Sequence, residues 1–163
     1  MRVAVISDTH LPRGERMLSA SCVERLKRAD LILHAGDIVG LGFLDDLRAL
    51  GPPVAAVHGN MDEPAVQALL PAEQIVEAGE ARIGLVHEPG PLDGREARLA
   101  ARFSGCDAVV YGHTHLPQAD RHGDLWILNP GSPTERRRAP AHSMLELVVD
   151  GRSIRPELIV LSA

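Results

Sequence analysis

The stretch that most constrains the fold is Asp107-Ala108-Val109-Val110-Tyr111, followed at once by Gly112-His113-Thr114-His115. The run up to Tyr111 has strand character, and Gly112 lets the backbone turn sharply where the run stops. A strand ending in His-x-His presents two imidazoles at a sheet edge. Imidazole is the commonest side chain for gripping a transition metal. Such a site needs further ligands from other strand ends, and four more strand-type runs supply them.

Val3-Ala4-Val5-Ile6 predicts a strand buried on both faces. It ends at Ser7-Asp8-Thr9-His10, a carboxylate and an imidazole near one point; taken alone, this pattern also fits an Asx turn with a surface histidine. A loop with Pro12 and Gly14 as breakers follows. A helix is predicted between Arg16 and Arg28, where Ser21-Cys22-Val23-Glu24 fits a capping box and Leu18, Cys22, Val23 and Leu26 share one face. Leu31-Ile32-Leu33 is the second strand, with Asp37 beyond its carboxyl end. His34 lies within that strand, which favours a packed supporting residue over a direct ligand.

Residues 43–50 predict a second helix through Phe43, Leu44, Leu47 and Leu50, with Asp45 and Asp46 on its solvated face and Gly51-Pro52-Pro53 ending it. Val54-Ala55-Ala56-Val57 is the third strand and runs into His58-Gly59-Asn60-Met61-Asp62. Residues 64–70 form a short helix or turn. Residues 74–77 and 81–86 flank Gly79-Glu80 as neighbouring strands, and the second of them ends at His87-Glu88-Pro89. A third helix spans residues 95–103. Residues 118–122 and 125–128 make a hairpin around Gly123-Asp124, and residues 143–149 and 152–161 make another around Asp150-Gly151, a type I′ signal. Pro156 marks the last strand as an edge. Strands alternating with helices, then hairpins, predict a sandwich of mixed sheets with helices outside.

The 163 residues suit one domain spanning 1–163. Hydrophobic content is 45% but aromatic content only 2%, so the core is built from Val, Leu, Ile and Ala. A formal charge of −5 argues against a stable nucleic-acid complex, although a metal pair would reverse the sign locally and admit anionic substrates. Cys22 and Cys106 are too few for a disulfide framework or a zinc-thiolate site. No leader is visible before Ser7-Asp8 and no apolar run is long enough to span a bilayer, which predicts a cytoplasmic protein without membrane contact.

Five strand ends therefore carry Asp8 with His10, Asp37, Asn60, His87, and His113 with His115. These oxygen and nitrogen donors suit two divalent metals, with one shared carboxylate as a bridge and Asp37 well placed for it. Manganese, iron, nickel, cobalt and zinc all accept such donors.

The order Asp-x-His, Gly-Asp, Gly-Asn, His, Gly-His-x-His resembles the calcineurin-like metallophosphoesterase superfamily. The chain length, His34-Ala35-Gly36-Asp37, Gly59-Asn60-Met61-Asp62 and Asn129-Pro130-Gly131-Ser132 are similar to its small bacterial and archaeal phosphodiesterase branch, to which the retromer scaffold subunit is related. The resemblance covers nearly the whole chain. It implies a four-layered α-β-β-α sandwich of two mixed sheets. It also implies a first metal on Asp8, His10, Asp37 and His115 and a second on Asp37, Asn60, His87 and His113, with manganese favoured. The implied reaction is hydrolysis of a small phosphodiester, a cyclic or linear nucleotide for example, by in-line attack of a hydroxide bridging two metals. Relatives form dimers or tetramers, so a homo-oligomer is expected. The alternatives are a non-catalytic metal-binding scaffold and a nucleotide sensor.

Two positions depart from that pattern. Met61 follows Asn60 where many members place a proton-donating histidine, although Cys is common there in the small branch. That predicts a preference for good leaving groups unless His58 or Glu88 serves as the acid. Glu88-Pro89 follows His87 where branch relatives read Gly-His, which alters the lip of the site. Arg136, Arg137 and Arg138 fit either a substrate-phosphate contact or a solvated basic loop. Trp126 reads as core or subunit contact, and His122 and His142 are given no role.

Overall fold

The computed structural model describes residues 1–162. In chain order the elements are β1 (Arg2–Ile6), α1 (Ala20–Lys27), β2 (Leu31–His34), α2 (Leu41–Arg48), β3 (Val54–Ala56), α3 (Pro64–Leu69), β4 (Glu73–Ala78), β5 (Ala81–Val86), α4 (Arg95–Arg102), β6 (Ala108–Val110), β7 (Gln118–His122), β8 (Leu125–Asn129), β9 (His142–Asp150) and β10 (Ser153–Leu161). They form two five-stranded mixed sheets, ordered β10-β9-β1-β2-β3 and β4-β5-β6-β8-β7. Strands β1, β2 and β3 run parallel, as do β5, β6 and β8. Helices separate most of the parallel strands, because a parallel pair needs a crossover connection.

The side-chain alternation of β1 shows how the layers stack. Val3 and Val5 face the second sheet and pack among Leu31, Leu33, Ile83, Leu85, Val110 and Leu128. Ala4 and Ile6 face the other way, onto Cys22 and Leu26 of α1 and Leu47 of α2. On the far side Val109 and Ile127 meet Leu99 of α4 and Phe103 just beyond it. The order helix, sheet, sheet, helix follows from strands apolar on both faces, each fully buried aliphatic side chain contributing roughly 1.5–3 kcal/mol. Gly84 in β5 has a packing reason: a Cβ there would lie 2.4 Å from the Phe103 ring, so its absence lets that ring lie on the sheet.

Several local expectations shift. Ser19, not Ser21, caps α1, since its hydroxyl accepts the Cys22 N–H at 3.3 Å while Ser21 sits inside the helix. Starting there buries Cys22 and Leu26 against β1, and tertiary packing outweighs the capping-box pattern. Helix α2 begins at Leu41, two residues before Phe43, because Gly40 holds the extended N-cap conformation. In the β9–β10 hairpin Asp150 pairs with Ser153, and of the two residues between them only Gly151 has positive φ, so the turn is not type I′. Strand β10 is an edge and carries Pro156, as anticipated.

These caps separate by mutation. Ser19→Ala removes an acceptor for an otherwise orphaned N–H and is expected to cost about 1 kcal/mol in urea unfolding. Ser21→Ala, on the exposed face, is expected to stay within about 0.5 kcal/mol of wild type.

Candidate metal centre

The carboxyl ends of β1, β2, β3, β5 and β6 meet at one edge of the sandwich, the place where open parallel sheets present their loops. Asp8, His10, Asp37, His113 and His115 all turn there with left-handed backbones, at φ of 55°, 47°, 57°, 68° and 59°. Non-glycine residues adopt that conformation at a cost of the order of 1 kcal/mol, and such strain concentrates at functional sites. Glycines allow the close approach. A Cβ on Gly112 would fall 2.1 Å from Ser7 Oγ and 2.8 Å from the Ala35 carbonyl, and one on Gly59 would fall 2.2 Å from Asp37 Oδ1.

Asp8 is fully buried and joins the two sheets. Its carboxylate accepts from Ser7 Oγ at 2.7 Å and from the His113 backbone N–H at 3.0 Å, and it lies 3.2 Å from His115 Nε2. Burial alone would raise its pKa. The His115 contact, the positive potential of His87 and His115, and the Ser7 hydroxyl outweigh burial and leave it lowered. Asp37 has one oxygen on each task. Oδ1 accepts from the Met61 N–H at 2.8 Å, while Oδ2 lies 3.7 Å from His10 Nε2 and 3.4 Å from His87 Nε2, between the two halves of the site. Burial pushes Asp37 upward too, and the His87 contact and charge, the Met61 N–H and His10 bring it below the usual carboxylate value.

The imidazoles are oriented by backbone carbonyls. His87 Nδ1 donates to Ala35 O at 2.7 Å, and His115 Nδ1 donates to Glu135 O. Both rings therefore aim Nε2 at the carboxylates, the outer hydrogen bond that fixes the tautomer of a metal-binding histidine. His10 Nε2 lies 3.4 Å from His115 Nε2, and Asn60 Oδ1 lies 3.1 Å from both His87 Nε2 and His113 Nδ1. Imidazole lone pairs, an amide oxygen and carboxylates thus face one another across distances that only a shared proton or a cation satisfies. Asp8, His10 and His115 form one cluster able to hold an ion, and Asp8, Asp37 and His87 an overlapping one, with donor atoms within 4.8 Å of one another. The donor set fits divalent cations. Burial favours neutral, ligating His10, whose pKa is lowered against the pull of Asp37, Asp8 and Glu135. At His87 burial is outweighed by the Asp37 contact and the charges of Asp8 and Asp37, and its pKa is raised.

The site has a deep end and an open end. Asp8, His10 and His115 are fully buried, whereas Asn60 and His113 are exposed. Beside Asn60 and His87 a cavity of about 690 Å³ is lined by His58, Gln67, Glu88, Arg98 and Arg102 among others. His58 is half-buried on that wall, and its Nδ1 is buried without a partner. Arg136, Arg137 and Arg138 are exposed and do not line this cavity; Arg136 donates to the Ala139 carbonyl at 3.1 Å.

His34 packs beneath the cluster. Its Nδ1 accepts from the Gly36 N–H at 3.2 Å and its Nε2 lies 3.0 Å from Thr9 Oγ1; full burial pushes its pKa down to about 3. Sequence reasoning missed three supports. Asp62 accepts backbone N–H groups from Asp37, Val39 and Gly59, tying two ligand loops together. Ser132 Oγ donates to the Asp8 carbonyl at 2.8 Å, and Glu135 Oε2 lies 3.5 Å from His10 Nε2. The first two were within reach, since Asp62 at a loop start is a common N–H acceptor and Ser132 closes the Asn129-Pro130-Gly131-Ser132 stretch; Glu135 has no local signal.

Residues 1–152 match the profile of the calcineurin-like phosphoesterase superfamily domain. The chain belongs to that superfamily. Among calcineurin-like phosphoesterase relatives, a probable metallophosphoesterase of Methanocaldococcus jannaschii is 37% identical over 93% of this chain and 78% of its own. The phosphodiesterase YfcE of Escherichia coli is 31% identical, covering 81% of this chain and 79% of its own. Of solved structures, a Thermotoga maritima protein superimposes with a TM-score of 0.77 at 31% identity over 98% of this chain and 99% of its own. Vps29 of Entamoeba histolytica complexed with Zn2+ gives a TM-score of 0.78 at 26% identity over 98% and 99%. Calcineurin-like phosphoesterases bind divalent metals, and the Asp and His clusters stand where this chain can do so.

The buried histidine makes stability pH-dependent. Unfolding releases His34 to the ordinary value of 6.5 from a folded value of about 3, so the unfolded chain binds the extra proton between those limits. The contribution is complete above 6.5 and is lost as pH falls through that window. His34→Asn, which keeps an acceptor for the Gly36 N–H, is expected to flatten the slope of unfolding free energy against pH there.

Proposed function

We propose that this protein is a metal-dependent phosphodiesterase acting on small diesters. The observation that carries the reading is the intact set of donors at one sheet edge, with Asp37 Oδ2 between His10 and His87. On this reading Asp8, His10, Asp37 and His115 hold one divalent ion and Asp37, Asn60, His87 and His113 the other, manganese being preferred among Mn, Ni, Fe, Co and Zn. Two such ions supply a water of lowered pKa and neutralise charge on the phosphoryl oxygens. The residues do the remainder. Asp37 sets the spacing of the two halves, the Ala35 and Glu135 carbonyls keep the His87 and His115 lone pairs aimed inward, and exposed Asn60 and His113 leave the open end for substrate. Met61 has no proton to donate, so esters with good leaving groups react best. His58 is the candidate acid on the cavity wall, and Arg136 to Arg138 are candidates for holding a more distant part of a nucleotide.

The relative named a phosphodiesterase supports the diester class, and the donor set favours hydrolysis over a scaffold or sensor role. Exposed Leu158 and Val160 on the edge strand β10 support a homo-oligomer, a dimer or tetramer. Two unpaired cysteines fit a cytoplasmic single-domain enzyme. Among the described residues no helix is long and apolar enough to cross a membrane.

The test is hydrolysis of bis(p-nitrophenyl) phosphate by manganese-loaded protein. Activity is expected to vanish with a chelator and to fall by roughly 10–100-fold or more in His113→Ala. No hydrolysis with any of the five metals would refute the enzyme reading. His58→Ala is expected to remove one limb of the pH–rate profile; an unchanged profile would exclude His58 as the acid.

A further inference from the structure

We propose that Glu135 is an additional carboxylate ligand at the deep end of the centre and that Arg16 competes with the cation for it. The inference rests on the reading of Asp8, His10 and His115 as an ion-holding cluster.

Glu135 lies outside every strand-end motif, in the loop between β8 and β9, yet its backbone is clamped to the ligands on both sides. Its N–H donates to Ser132 Oγ at 2.8 Å, and that hydroxyl donates to the Asp8 carbonyl at 2.8 Å. Its own carbonyl accepts the His115 Nδ1 proton. The side chain then turns back to the same place. Oε2 stands 3.5 Å from His10 Nε2, a spacing that matches the 3.4 Å to His115 Nε2 and the 3.7 Å to Asp37 Oδ2. Glu135 therefore faces the His10 lone pair from as near as the other donors do.

On its outer side the same oxygen lies 3.2 Å from Arg16 Nη1, in the loop that follows β1. Both side chains are partly exposed, Glu135 by 22% and Arg16 by 31%, so the carboxylate can shift between its two partners without unpacking a core. Manganese and its neighbours accept up to six donors, and carboxylate oxygen suits them. Asp8, His10, Asp37 and His115 supply four, which leaves room for Glu135. A third carboxylate at this end adds negative charge beside Asp8 and Asp37, which strengthens retention of the deep ion. Arg16 pulls the other way, because each moment Glu135 spends on the guanidinium is lost to the cation.

Calorimetric titration of the metal-free chain with MnCl2 tests this through binding constants, independently of catalysis. Glu135→Gln keeps the shape and removes the charge; it is expected to weaken one of two Mn2+ steps by roughly 10–100-fold, the range seen when a supporting group of a metal site is lost. Arg16→Met is expected to tighten the same step, and to do nothing when Glu135 is already Gln, the coupling a double-mutant cycle isolates. Both steps unchanged in Glu135→Gln, or Arg16→Met acting equally in the two backgrounds, would overturn the proposal. If Glu135→Gln fails to fold, Glu135→Asp withdraws the charge by one methylene and must weaken the same step; unchanged binding there also overturns it. Wild-type protein that takes up no Mn2+ would remove the metal reading itself, whereas two ions bound normally with Glu135→Gln unaffected would remove only the role of Glu135.

Discussion

Asp8 and Asp37 are carboxylates with almost no contact with water, and the edge of the sandwich is arranged to make that tolerable. Burying an unpaired carboxylate costs several kcal/mol, so each oxygen must find a donor or a positive charge. The donors come from separate parts of the chain: the Ser7 hydroxyl, the His113 N–H from the opposite sheet, and the Met61 N–H from the loop after β3. Docking the two sheets and satisfying these charges are therefore one event. The left-handed backbones at Asp8, His10, Asp37, His113 and His115 belong to the same compromise. A strand that continued straight would carry its side chain past the meeting point; a single left-handed residue after the strand swings it in.

The site divides by depth. The end formed by Asp8, His10 and His115 is closed by the loop after β8, while Asn60 and His113 stand at the surface beside a cavity. The candidate donors are held in place by side chains outside the two clusters. Asp62 fastens the loops after β2 and β3 together, and Asn129 Nδ2 donates to the Gly112 carbonyl at 3.1 Å and to Thr114 Oγ1 at 3.0 Å. His34 fills the space below, neutral because nothing solvates its charge.

How much of this was visible in the residues depends on whether the cause is local. A run of Val, Ile and Ala followed by glycine and a polar donor is a local pattern, and it located the strand ends, the layer order and the meeting of the candidate donors. The start of α1 was misplaced because Ser21-Cys22-Val23-Glu24 satisfies a capping rule by itself, whereas the burial of Cys22 and Leu26 under β1 decides where the helix begins. Arg136 to Arg138 drew attention as a charge run, yet the cavity beside His87 is flanked instead by Arg98 and Arg102, brought there by the packing of α4. Glu135 left no trace in sequence, since its approach to His10 depends on a loop reaching across from the far end of the chain.

The central claim is that two divalent ions share Asp37 at this edge. Anomalous diffraction from crystals grown with manganese tests it most directly. The account predicts two peaks roughly 3.5–4 Å apart, one among Asp8, His10 and His115 and one among Asn60, His87 and His113, with Asp37 touching both. A single peak, or manganese bound elsewhere while these side chains stay as they are, would contradict it.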